Sequence, residues 1–120
     1  EQLGVRVNIA VVDCGGNLSG FLRMPGAFLH SIEIAIDKAY TAASFGLPTS
    51  EWHRALAQEP AAVRDGLPRR PRFVGFGGGL PLRIGGAAIG GIGVSGASEE
   101  QDELCARAGC EAIGADSAQG

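Results

Sequence analysis

Two histidines are the residues of this sequence best suited to chemistry near neutral pH. His30 and His53 are the only ones among its 120 residues. An imidazole can bind iron through a ring nitrogen or transfer a proton near neutral pH. For each of them the alternative is a solvated or hydrogen-bonded structural side chain. The sequence therefore offers two candidate metal ligands and two candidate acid–base groups, and it does not choose between them.

Two cations are the next candidates for a catalytic or binding role. Arg23 ends the apolar segment "LSGFLR" and could hold a carboxylate by two parallel hydrogen bonds. Lys38 lies in "KAYTA", in the C-terminal half of a predicted helix. The alternatives are a surface ion pair for Arg23 and a favourable helix-end charge for Lys38.

Other polar side chains are weaker candidates. Tyr40 and Thr41 could present hydroxyl groups, and Asp102 falls where a carboxylate favours a helix dipole. Cys14 lies in a predicted turn, where it is either reactive or incidental. The arginines of "LPRRPRF" could attract an anionic ligand, although we favour a solvated loop; they are Arg69, Arg70 and Arg72.

The stretch "GFGGGLPLRIGGAAIGGIGVSG", residues 75–96, places glycines among strand-forming residues. Glycine weakens a strand, so it usually marks a turn or the close approach of another backbone or a ligand. We favour sheet twist and helix packing as its purpose. The alternative is a backbone surface against a cofactor, with Gly78 and Gly79 as the contacts.

Hydrophobic patterns and turn residues predict the order of the elements. Strands are expected at residues 5–13, 18–24, 73–76, 80–84 and 87–95. A long helix is expected from Pro25 to its C-terminal cap at Gly46, and a short helix after an N-cap at Thr49 or Ser50. Ser98 followed by Gln101 predicts a capping box before a last helix. This order favours an α+β domain with an antiparallel sheet.

Composition excludes several classes of protein. Hydrophobic residues make up 45% and charged residues 19%, as in a globular domain, and the formal net charge of -3 argues against a dedicated nucleic-acid binder. The three cysteines indicate neither a disulfide framework nor a zinc site, which favours a cytoplasmic location. We expect no membrane partner, because no apolar run of about 18 residues occurs.

Four separated segments together resemble one family. They are "IAVVDCGGNLSGFLRMPGA", "SIEIAIDKAYTAASFG", "GGGLPLRIGGAAIGGIGVSGAS" and "EEQDELCARAG". Their order and spacing resemble the GlcG/HbpS family of haem-binding or haem-degrading proteins, which also occurs as the C-terminal domain of PduO-type proteins. The resemblance covers roughly residues 7–112. One departure is Pro25, which stands where the family commonly has an acidic residue.

The resemblance implies a profilin-like α/β/α sandwich with an antiparallel sheet of about five strands flanked by helices. It implies a single domain over residues 1–120, whose lead helix would lie upstream of Glu1, and a symmetric homo-oligomer with its pocket near a subunit boundary.

The resemblance leaves three functions open. The first, which we favour, is binding of haem or a similar small carboxylated ligand, with iron on His30 or His53 and propionates on arginines such as Arg23. The second is a cofactor-free lyase or mutase of a small aromatic acid such as hydroxylaminobenzoate, with Arg23, His30, Lys38 and His53 as catalytic candidates. The third is a non-catalytic accessory protein.

Overall fold

Four strands form one antiparallel sheet in the computed structural model, which describes residues 4–116. The central strands are β1 (Asn8–Asp13) and β4 (Ala87–Ser95), and the edges are β2 (Leu18–Arg23) and β3 (Gly79–Ile84). The order across the sheet is β2-β1-β4-β3. The expected antiparallel sheet is confirmed, but it has four strands rather than about five.

Two helices cover the sheet, one on each face. α1 (His30–Phe45) packs on one face and α4 (Glu99–Ala112) on the other, which confirms the α+β sandwich. None of the helices between residues 4 and 116 has the length and apolar character needed to cross a bilayer. Short elements connect α1 to β3: the 3-10 turns Thr49–Glu51 and Leu67–Arg69, α2 (Trp52–Ala57) and α3 (Ala61–Gly66).

The alternation of side chains along β1 separates two apolar layers. Ala10 and Val12 pack with Ala39 of α1. Ile9 and Val11 pack on the opposite side, against the cluster that includes α4. Successive side chains of a strand point to opposite faces, so this one segment contributes to both layers.

The glycines of β4 bring α1 close to the sheet. A Cβ atom at Gly91 would overlap the carbonyl group of Ala39, and one at Gly93 would overlap that of Ala35. The interpretation of these glycines as helix-packing residues is therefore confirmed. Close packing of α1 fixes the position of every side chain that the helix carries.

The strand predicted at residues 73–76 is wrong. This segment is irregular, and the backbone N–H of Val74 donates to the hydroxyl oxygen of Thr41 at 3.1 Å rather than to a strand. The ring of Phe73 packs edge-on against Trp52 and Phe45. An apolar, extended segment can therefore be held by a helix instead of by the sheet.

The predicted start of the long helix at Pro25 is also wrong, because the helix begins at His30. The N–H of Ala27 donates to the carbonyl of Met24 at 3.0 Å, and Gly26 has φ of 86°. Proline followed by a glycine with positive φ is the pattern of a type II turn. Pro25 therefore serves a turn that precedes the helix.

Helix ends were predicted with mixed success. Gly46 ends α1 in the left-handed conformation, with φ of 66°, and the capping box of Ser98 and Gln101 is present; both predictions are confirmed. The predicted cap of α2 is wrong, because neither Thr49 nor Ser50 caps it: a 3-10 turn precedes the helix, and no side chain accepts a capping hydrogen bond from its backbone.

Candidate functional site

The six residues between Arg23 and His30 fold back on the sheet, and we call the segment from Arg23 to His30 the α1 entrance. Arg23 Nη2 donates to the carbonyl of Ala27 at 3.0 Å. Asn8 Nδ2, from β1, donates to the carbonyl of Phe28 at 3.1 Å. These bonds hold the predicted site residues Arg23 and His30 at the same end of the molecule.

The α1 entrance exposes apolar surface beside an imidazole. Phe28 is 67% exposed and Leu29 is 71% exposed, and His30 directly after them is also exposed. Within residues 4–116 the imidazole of His30 has no hydrogen bond or ion pair. The site thus combines exposed apolar side chains, an accessible imidazole and the guanidinium of Arg23.

His53 lies at the opposite end of α1. It follows Trp52, whose ring centroid is 4.8 Å from that of Phe45, the last residue of α1. A helix of 16 residues is roughly 24 Å long. The structure therefore does not bring His30 and His53 together, and one iron cannot bind both histidines of the same chain.

Lys38 lies in the interior, between the two histidines. It is fully buried, and its Nζ donates to the carbonyl of Val94 at 2.8 Å and to Asp102 Oδ2 at 3.1 Å. Burial lowers the pKa of Lys38 below its ordinary value, against the opposing attraction of Asp102. Its Nζ also lies 5.0 Å from the ring centroid of Phe76. Lys38 is thus neither the solvated helix-end charge nor a neighbour of His30.

Asp102 does more than complement the dipole of α4. Its side chain is 3% exposed, and its Oδ1 accepts a hydrogen bond from the N–H of Ala97 at 3.0 Å. It therefore joins α4 both to its own preceding loop and to Lys38 on the opposite side of the sheet. The sequence shows a helix-start carboxylate, but not its partner 64 residues away.

Gly78 and Gly79 lie buried at the start of β3, against Lys38. Gly78 has φ of 129°, and a Cβ atom at Gly79 would meet the carbonyl oxygen of Lys38 at 2.6 Å. The N–H of Gly79 donates to the hydroxyl of Thr49 at 2.8 Å. The structure places these two glycines with Lys38, away from the α1 entrance.

Arg72, a candidate anion-binding residue, has a conformation and contacts that the sequence does not indicate. It is the one non-glycine residue between 4 and 116 with positive φ, at 68°. Its guanidinium carbon lies 3.5 Å from the ring centroid of Tyr40, and its Nε lies 3.2 Å from Asp37 Oδ1. Its carbonyl accepts a hydrogen bond from Thr41 Oγ1 at 2.8 Å. Arg72 thus ties the predicted exposed loop to α1.

The remaining candidates lie at the surface. Cys14 is exposed in the turn between β1 and β2, and Arg69 and Arg70 are exposed before Arg72. No group of three or more histidine, cysteine, aspartate or glutamate side chains within residues 4–116 could hold a bare metal ion. A single imidazole suffices as an axial ligand when a porphyrin supplies the other ligands. The residues at the α1 entrance therefore fit haem better than a free metal.

Comparison with known proteins identifies the family. A family model described as "Haem degrading protein HbpS-like" matches residues 1–111. The chain belongs to the HbpS-like family. A 15.0 kDa protein from the dhaT-dhaS intergenic region of Citrobacter freundii is 43% identical over 107 residues, which are 88% of this chain and 74% of that protein.

A larger relative contains a similar domain. The corrinoid adenosyltransferase PduO of Citrobacter freundii is 40% identical over 115 residues. The match covers 94% of this chain but 34% of PduO. The similarity to PduO thus concerns one part of that protein.

Two solved structures share the fold. A PduOC–haem complex superposes with a TM-score of 0.87 at 38% identity, covering 97% of this chain and 84% of that one. HbpS superposes with a TM-score of 0.83 at 42% identity, covering 94% and 77% of the two chains. A structure with this fold therefore contains haem, and the expected GlcG/HbpS-like family is confirmed.

Proposed function

We propose that this chain binds haem at the α1 entrance, with His30 as the axial ligand of the iron. The observation that carries the proposal is the exposed pair Phe28 and Leu29 directly before an accessible imidazole. The PduOC–haem complex, a protein of the same fold, supports haem as the ligand.

Apolar burial would supply much of the binding energy. Transfer of apolar surface from water contributes about 25 cal/mol per Å². The exposed rings and methyl groups of Phe28 and Leu29 offer such surface to the porphyrin plane. Large apolar side chains that stay exposed side by side are typical of a binding surface.

Arg23 is suited to hold a propionate group. One of its nitrogens, Nη2, donates to the carbonyl of Ala27, which orients the guanidinium and leaves other N–H groups free. A guanidinium grips a carboxylate with two charge-assisted bonds, whereas an ammonium group offers a point charge. Arg23 would thereby orient the porphyrin relative to His30.

A homo-oligomer fits the same surface, and we include it in the proposal. A haem that lies on an exposed surface leaves one of its faces in water, and a second copy of the chain would cover that face. Closed symmetric assemblies are the usual form of such contacts. Mass measurement in solution with and without haem tests this: a monomer at micromolar concentration in both samples would contradict it.

Titration of the chain with ferric haem, followed by the Soret band, tests the iron ligand. His53→Ala is the matched control, because it removes the other exposed histidine. We expect His30→Ala to abolish the shift of the Soret band and His53→Ala to leave it unchanged. The opposite pattern, or an unchanged shift in both variants, would overturn the assignment of His30.

A further inference from the structure

A small cavity lies between α1 and the segment 67–73, which we call the strap. Its volume is about 280 Å³. It is lined from α1 by Tyr40, Ser44 and Phe45, and from the strap by Leu67, Arg70 and Phe73, among others. The cavity lies at the C-terminal half of α1, whereas the α1 entrance lies at the start of the same helix. It is therefore separate from the proposed haem surface.

Arg72 and Thr41 hold the strap over α1. Thr41 Oγ1 donates to the carbonyl of Arg72 and accepts from the N–H of Val74. The guanidinium of Arg72 contacts Tyr40 and pairs with Asp37. A left-handed conformation at a non-glycine residue is unfavourable and persists only where surrounding contacts impose it. These contacts keep the cavity formed in the absence of a ligand.

The polar groups that line the cavity differ in whether they already have hydrogen-bond partners. The hydroxyl of Thr41 is used by the strap, and that of Ser44 donates to the carbonyl of Tyr40 at 2.7 Å. The guanidinium of Arg70, in contrast, has no hydrogen bond or ion pair with any side chain or backbone group of residues 4–116. Arg72 is neutralised by Asp37. Arg70 is thus the cation that remains available to a ligand.

The walls of the cavity favour an aromatic ring. Phe45 and Phe73 lie with their ring centroids 6.2 Å apart and nearly perpendicular, and Tyr40 provides a third ring. Aromatic rings in offset or edge-on geometry attract one another beyond the effect of their buried area. The volume lies at the lower limit of small-molecule pockets, which suits one ring and excludes a porphyrin.

From these observations we propose that the strap cavity binds a small aromatic ligand with one anionic group, the ring lying against Phe45 and Phe73 and the anion against Arg70. The proposal concerns a second binding site and does not rest on haem binding. His30→Ala should consequently leave this site unaffected.

Benzoate is the probe, and the fluorescence of Trp52 is the signal. Trp52 is the one tryptophan of the chain, and its ring contacts both Phe45 and Phe73. We expect saturable quenching or a shift of its emission with benzoate. Benzamide lacks the charge and cyclohexanecarboxylate lacks the aromatic ring, so we expect both to bind more weakly.

Arg70→Ala and Arg69→Ala form a matched pair, because both side chains are exposed and adjacent but only Arg70 lines the cavity. Hydrogen bonds to charged groups contribute about 1.5–3 kcal/mol, so Arg70→Ala should weaken benzoate about ten- to a hundredfold. Arg69→Ala should change the affinity less than about twofold. Equal effects of both substitutions, or no saturable benzoate signal in the unsubstituted chain, would overturn the proposal. A circular dichroism spectrum shows whether each variant is folded.

Discussion

The two ends of α1 differ in how they meet solvent. At the α1 entrance, Phe28 and Leu29 are exposed, and no side chain caps the helix. At the other end, Gly46 closes the helix and Phe45 packs edge-on against Trp52 beneath the strap. One helix thus has exposed apolar side chains at its start and a small cavity, partly open to solvent, at its end.

Under the two proposals above, one helix would contribute to the binding of two ligands of different size. The middle of α1 lies on the glycines of β4 and is joined to α4 through Lys38 and Asp102. Neither end has to hold the helix in place. The proposed haem would lie against the exposed side chains of the α1 entrance, and the smaller aromatic ligand would lie under the strap.

Removal of the buried cation should have the largest effect. Lys38→Met leaves Asp102 buried without its partner, and removal of one member of a buried ion pair typically costs about 3–5 kcal/mol. We expect a loss of that size in the free energy of unfolding, measured with urea. The double variant Lys38→Met, Asp102→Asn should recover part of it, since no charge stays buried. A double variant less stable than Lys38→Met would refute this account of the pair.

The second largest effect is expected where α1 contacts the sheet. Gly93→Val places a branched side chain against the backbone of Ala35 and Ala39, and overpacking costs typically about 1–3 kcal/mol. We expect a loss of about 3 kcal/mol, because a helix backbone cannot move aside as a side chain does. Gly20→Val in β2 is the control: a Cβ there meets nothing within 4 Å. Equal losses in both variants would show that the close approach is unimportant.

A smaller effect is expected at the strap. Thr41→Val keeps the shape of the side chain but removes the hydroxyl that bonds to Arg72 and Val74. An unsatisfied buried backbone group costs about 1–3 kcal/mol, so we expect roughly 2 kcal/mol of destabilisation together with weaker benzoate binding. Thr41→Ser retains the hydroxyl and should preserve both properties. Unchanged benzoate affinity in Thr41→Val would show that the hydrogen bonds between Thr41 and the strap do not shape the cavity.

Substitution of Arg23 tests whether this residue binds haem or stabilises the fold at the α1 entrance. Arg23→Lys keeps the charge but loses the two-point grip, so haem affinity should fall several-fold, by about 1 kcal/mol. Stability should change by less than about 1 kcal/mol, because the side chain is exposed. A melting temperature and a haem titration of the same sample measure both. Loss of stability with unchanged haem affinity would assign Arg23 a structural role instead.

The turn between β1 and β2 belongs to neither end of α1, and a substitution there should have the smallest effect on stability. The N–H of Asn17 and that of Gly15 donate to Asp13 Oδ1, each at 2.9 Å. These bonds, that of Asn17 first, hold the pKa of Asp13 below its ordinary value of 3.8. A depressed carboxylate pKa stabilises the fold above the ordinary value, and the contribution is lost as pH falls through the folded-state pKa. The stability difference between the chain and Asp13→Asn should therefore shrink below pH 3.8. A constant difference would contradict this assignment.

Features that depend on neighbouring residues could be predicted from the sequence. The cap at Gly46 and the capping box at Ser98 each require only a few adjacent residues, and both were predicted correctly. The strand at residues 73–76 was wrong because its partner is the hydroxyl of Thr41, more than 30 residues away. Patterns of hydrophobicity do not show whether an extended segment joins a sheet or a helix.

The candidate site was predictable only in its residue types. His30 and Arg23 are separated by seven positions, and the Pro25–Gly26 pair between them is a turn signal that the predicted helix start at Pro25 did not use. The partner of Lys38 lies in another helix, and the conformation of Arg72 depends on its contact with Tyr40. Such pairings arise from packing across the sheet and from loop contacts, which no local pattern records.

Paramagnetic broadening by ferric haem tests the central claim most directly, because it locates the iron without a substitution. Amide signals would be compared in ¹H–¹⁵N spectra of the chain with and without ferric haem, using zinc protoporphyrin as the diamagnetic control. We predict broadening confined to residues around Phe28, Leu29 and His30, with the signals of α2 around His53 unaffected. Broadening centred on α2, or none beyond that seen with zinc protoporphyrin, would contradict the assignment of haem to the α1 entrance.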